Sequence, residues 1–142
     1  MRSQVTLHCL TSCVLLLAGC AEQDAMIRVS APDSVHYSDK HRDYRAAQAV
    51  CYEILGRYGY VLARQQPPGA TEFTYNRYAV FYIAPTFFLV EPKSGPIMQI
   101  GIGGLGQGYP DEAALLQELQ NALASRFGKD NVKFLRFNRI AF

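Results

Sequence analysis

Two runs of apolar residues recur at helical spacing, one in each half of the chain, and each needs a surface to lie on. In the first, Tyr44, Ala47, Cys51, Ile54, Leu55 and Tyr58 fall three or four residues apart and mark one stripe of a helix. In the second, Leu115, Leu116, Leu119, Leu123 and Phe127 do the same within 110–127. Ser38 and Asp39 are candidate N-caps for the first helix, and Gly59 is its stop. Pro110 suits the first position of the second helix, Asp111 and Glu112 complement the positive end of its dipole, and Gly128 ends it. Two one-sided helices need one shared apolar surface.

Strand-like runs supply that surface. Residues 60–65, 71–83, 87–91, 97–102 and 132–137 are rich in β-branched and aromatic side chains, and turn residues such as Pro67-Pro68-Gly69 and Ser94-Gly95 punctuate them. The alternation within 71–83 changes phase across Asn76 and Arg77, the mark of a bulge or tight turn. The expected fold is α+β: a two-layer sandwich, with an antiparallel sheet of four to five strands and both helices on one face. At 142 residues, with 49% hydrophobic and 18% charged side chains, the chain has material for one core and not two.

The N-terminus carries a different message. Arg2 precedes an apolar stretch that closes with Val14, Leu15, Leu16, Leu17 and Ala18, shorter than the roughly 20 residues a membrane span needs. This is the pattern of a secretory signal peptide. At its end Leu17, Ala18, Gly19 and Cys20 resemble the bacterial lipobox, in which small residues precede a cysteine. The resemblance covers only the leader and Cys20. It implies a bacterial lipoprotein whose Cys20 is diacylated on sulfur, becomes the new N-terminus and is then acylated on its amine. Several acyl chains, at about 0.8 kcal/mol per buried CH₂, hold a protein to a bilayer where one alone binds only marginally. In this class an aspartate after the cysteine tends to retain the protein in the inner membrane. Ala21 and Glu22 stand here instead, so the resemblance implies the outer membrane, facing the periplasm. On this reading residues 1–19 are a cleaved signal, 20–37 a lipid-anchored tether and 38–142 a single domain. Met26 to Val29 form a candidate short strand within the tether, which otherwise spans on the order of 60 Å when fully extended.

Processing simplifies the cysteine count. Cys9 and Cys13 leave with the leader and Cys20 carries lipid, so Cys51 is the one remaining thiol and no intramolecular disulfide can form. Its place on the helix stripe makes it a small buried hydrophobe.

The most chemical-looking stretch is Gly101, Gly103 and Gly106, which spell out the G-x-G-x-x-G of a dinucleotide loop between a strand and a helix. Three features oppose that reading. Residues 107–110 separate the last glycine from the helix. Asp111 and Glu112 put carboxylates where a pyrophosphate would sit, and no ribose-binding acid ends the next strand. A hinge-like connection remains, and no cofactor is expected.

His36, Asp39, His41 and Asp43 offer metal-ligand chemistry, but Asp39 reads as a cap and Asp43 as a first-turn residue beside Lys40 and Arg42. No metal is expected. Nor does the chain present a nucleophile with its base: Ser94 lies in a turn, and no G-x-S-x-G motif occurs. The reading is therefore not an enzyme, with a hydrolase of dispersed site as the alternative. Lys133, Arg136 and Arg139 alternate with Phe134, Phe137 and Phe142, yet a formal charge of +2 is too small to argue for nucleic acid and export argues against it, so no nucleic acid is expected as a partner.

Aromatic residues are in surplus: nine tyrosines and eight phenylalanines without a tryptophan. Helices on one sheet face leave some of these rings for the other, with Tyr78, Tyr82, Phe87 and Phe88 the candidate partner-binding aromatics. Such a face is either a contact site for an envelope protein or a second core layer, closed by the tether or by another copy of the chain. The expected function is presentation of a small periplasmic domain for protein–protein interaction in envelope assembly or maintenance. The alternative is a binding module for a lipid, glycan or small apolar ligand. A large enclosed apolar pocket would favour the ligand, and an uncovered aromatic face or unpaired edge would favour a partner.

Overall fold

The computed structural model describes residues 24–31 and 39–137. The expected leader, the lipobox-like residues Leu17, Ala18, Gly19 and Cys20, and the cap candidate Ser38 lie outside the described residues. In chain order the elements are strand β1 (Ala25–Val29), helix α1 (Lys40–Arg57), β2 (Val61–Leu62), β3 (Glu72–Asn76), β4 (Thr86–Val90) and β5 (Met98–Gly103). Helix α2 (Glu112–Phe127), a 3-10 turn (Lys129–Asn131) and β6 (Val132–Arg136) complete it. The fold is the expected α+β sandwich, with six strands in the sheet rather than four to five.

The extra strand changes the domain boundary. The sheet order is β2-β3-β4-β5-β1-β6, with antiparallel pairing throughout. The candidate strand in the expected tether is thus β1, hydrogen-bonded on both sides, with Ile27 opposite both Ile100 and Phe134. Its alternation is complete: Ala25, Ile27 and Val29 are buried, while Met26 and Arg28 are half-buried on the other face. The described fold begins at Asp24 and not at 38. Composition around β1 reads as a linker because five residues supply little local signal; its place comes from long-range pairing.

One side of the sheet carries the core. Tyr75, Phe87, Leu89, Ile100, Ile102, Ile27 and Met98 are fully or almost fully buried there, in one cluster with both helix stripes. The buried side chains of α1 are Tyr44, Ala47, Cys51, Ile54 and Leu55, and those of α2 are the five expected from its spacing. Tyr58, the last residue of the first stripe, sits at the C-cap of α1, where its hydroxyl donates to Glu118 of α2 at 2.7 Å. Asp39 occupies the N-cap position of α1 but makes no capping bond; its carboxylate lies 3.6 Å from Arg42. Cys51 is fully buried with Sγ 4.0 Å from Met98 Sδ, and burial pushes its thiol up to about 12. That thiol stays protonated at neutral pH, the condition of an inert structural cysteine.

Candidate interaction surface

The strand register decides what the second sheet face presents. Thr74, Phe88, Gly101, Met26 and Leu135 stand opposite one another in a row across five strands. The neighbouring row is Glu72, Val90, Gln99, Arg28 and Lys133. Among the described residues no helix packs on this face. It combines an apolar row with a mixed, partly cationic one, and the Nε of Arg28 is buried without a hydrogen-bond partner. A buried N–H left unpaired costs roughly 1–3 kcal/mol. The edge strand β6 continues the face, with Lys133 and Leu135 exposed.

The four candidate aromatics do not converge. Phe88 alone lies on the open face, half-buried. Phe87 is a correction: it points into the core with no exposed surface, against Tyr60 in an edge-to-face pair at 5.2 Å. Adjacent strand residues take opposite faces, and pairing with Ile102 puts Phe87 on the inner one. Tyr78 and Tyr82 lie on neither sheet face. The phase change at Asn76 is the end of β3, so residues 77–85 form a loop to β4 instead of continuing the strand.

That loop is braced from within. Arg77 donates to the carbonyl of Tyr58 and lies over the ring of Tyr109, with 5.5 Å to its centroid. Gly59, at φ +80, leaves room for this guanidinium: a Cβ there would come within 2.7 Å of it. Tyr82 packs on Tyr109 at 5.3 Å, the Ile83 N–H donates to Gln107, and Ala84 is buried. The intervening side chains point outward: Tyr78 is 82% exposed, Val80 90%, Phe81 95% and Ile83 63%. The residues beneath carry two further unpaired buried polar atoms, the hydroxyls of Tyr60 and Tyr109, and burial raises both phenols above their ordinary range.

The glycine stretch has a structural explanation. Gly101 and Gly103 belong to β5, while Gly104, Gly106 and Gly108 turn the chain with φ between +73 and +87. The amides that could cradle a phosphate are already taken. Asp24 Oδ2 accepts from Gly104 and Leu105 at 2.9 Å each, and the Glu112 carboxylate accepts from Gly106 at 3.0 Å. Two carboxylates stand where an anion would need to bind, and they tie β1 and α2 to this loop instead of leaving a free hinge.

Elsewhere, His41 Nδ1 meets Glu91 at 2.7 Å, and Asp43 lies 3.8 Å from Arg42. His36 lies outside the described residues, and among those described no three His, Cys, Asp or Glu side chains gather as a metal set. Ser94 is exposed in the turn between β4 and β5. An open recess of about 510 Å³ lies between α1 and the β2 edge, lined by Tyr52, Glu53, Arg57, Tyr60 and Tyr75 among others. No described helix is long and apolar enough to cross a membrane. Comparison with family models, curated proteins and solved structures gave no match to the chain.

Proposed function

We propose that this chain is a bacterial lipoprotein of the outer membrane, held by acyl chains on Cys20. Its α+β domain, in the periplasm, acts by binding another envelope protein through the uncovered sheet face. The observation that carries the second part is one-sided coverage. Both helices lie on the face of Ile27, Ile100 and Phe87, while Phe88, Val90, Met26 and Leu135 face away across neighbouring strands. An apolar row bordered by Glu72, Arg28 and Lys133 has the make-up of a protein contact: an apolar centre with a polar rim. Among the described residues the space between the layers is occupied by Tyr44, Tyr75, Leu89, Ile102, Leu115 and Leu119, all fully or nearly fully buried.

A photo-crosslinking residue at Phe88, in cells making the full chain, tests the contact. The expected result is one discrete protein adduct from position 88 and none from Asn121, exposed on α2. No adduct from 88 would reject the partner and favour a ligand in the recess. In the same cells Cys20→Ala is expected to lose acyl-chain labelling and leave the membrane fraction; labelling that persists would reject the lipidation site.

A further inference from the structure

The first described residue is Asp24, and the proposed lipid attachment at Cys20 lies only four residues before it. In any conformation four residues span at most about 14 Å. If Cys20 is lipidated, the start of β1 is therefore held close to the bilayer, with no long tether to carry it away.

The register identifies what else lies at that end. Ala25 pairs with Ile102 and with Arg136, and Thr86 pairs with Gly103, so the ends of β5 and β6 and the start of β4 are all there. Asp24 donates its N–H to Ile102 at 2.7 Å and accepts from the N–H of Phe137, a residue 41% exposed, at 2.8 Å. The loop 77–85 enters β4 at this same end. With strands about 4.8 Å apart, β4 stands only about 10 Å from β1 across the sheet. The exposed side chains of Tyr78, Val80, Phe81 and Ile83 thus share one end of the molecule with the start of β1, to which an attachment at Cys20 would be tied.

We propose that residues 78–83 form a second membrane contact, entering the headgroup–acyl boundary of the bilayer that holds Cys20. This rests on the lipoprotein reading above. The segment Tyr78-Ala79-Val80-Phe81-Tyr82-Ile83 carries no charge, so apolar transfer drives the insertion and headgroup charge matters little. Aromatic rings suit the boundary layer, where an apolar body meets water. The bracing by Arg77, Tyr82 and Ala84 sets the posture in advance, so contact needs no refolding. Two attachments at one end orient the domain, and the open sheet face then runs away from the bilayer.

The chain has no tryptophan, so Phe81→Trp introduces a single tryptophan at an exposed site, excited at the red edge where the nine tyrosines do not absorb. The full-length lipidated protein, purified from membranes, is placed in phosphatidylcholine vesicles with brominated acyl chains. Flotation reports the anchor and tryptophan quenching reports the loop, on one sample. Ser94→Trp, in the turn at the far end of β4, is the control. The expected result is flotation of both variants, with blue-shifted and quenched emission from position 81 only, unchanged at high salt. Flotation without quenching at 81 overturns the loop contact and leaves the anchor standing. A blue shift without bromine quenching places the loop against protein, including a second copy, and also overturns it. Failure to float overturns both readings.

Discussion

A chain shortened to residues 38–142 is expected to lose cooperative folding, although that range contains both helices and five of the six strands. Its loss is β1. Without β1, β5 loses one partner and β6 loses its only partner in the sheet. The core loses Ala25, Ile27 and Val29, each with no exposed surface. Removing an Ile side chain alone costs about 2–5 kcal/mol. A whole domain of this size is stable by only about 5–15 kcal/mol, so losing the strand and its two hydrogen-bonded ladders exhausts the margin. The loss of Asp24 also frees the amides of Gly104 and Leu105. Thermal melts followed by circular dichroism provide the check: one sigmoidal transition for residues 21–142 and none for 38–142. A cooperative melt from the shorter chain would show that β1 is an accessory and not a member of the core.

The second large effect separates two neighbouring phenylalanines. Phe87→Ala removes a ring with no exposed surface and is expected to cost about 3–5 kcal/mol, read from the urea midpoint at unchanged slope. Phe88→Ala, one residue on but on the open face, is expected to cost about 1 kcal/mol or less. The asymmetry should invert in the cell, where Phe88→Ala is expected to weaken the proposed partner contact and leave a folded domain. Equal destabilisation by the two would mean that the open face is covered, as a second core layer would cover it.

Much of this architecture is legible in the sequence. Both helix stripes reappear as buried faces, because 3.6-residue periodicity is a local property that packing preserves. Strands are less local. β1 is five residues long, and nothing in them specifies Ile100 and Phe134 as neighbours. The parity of Phe87 and Phe88 is equally non-local: it follows from register, with Ile102 opposite one and Gly101 opposite the other. Tyr78, Val80 and Phe81 have β-forming side chains and so read as strand, but among the described residues no strand pairs with them. The glycine motif is non-local as well, since spacing cannot reveal that Asp24, some 80 residues earlier in the chain, fills its amides. The proposed lipobox is of the opposite kind: a processing signal would be written in four consecutive residues and would need no fold to be read.

Those four residues also bear the weight of the proposed function, since the envelope address, the end-on geometry and the role of the 78–83 loop all follow from Cys20. Mass spectrometry of the protein isolated from bacterial membranes tests this most directly. The expected result is a mature N-terminus at Cys20, carrying a diacylglyceryl thioether and an amide-linked acyl chain, with no residue of the leader. A mature N-terminus elsewhere, or an unmodified Cys20, would contradict it.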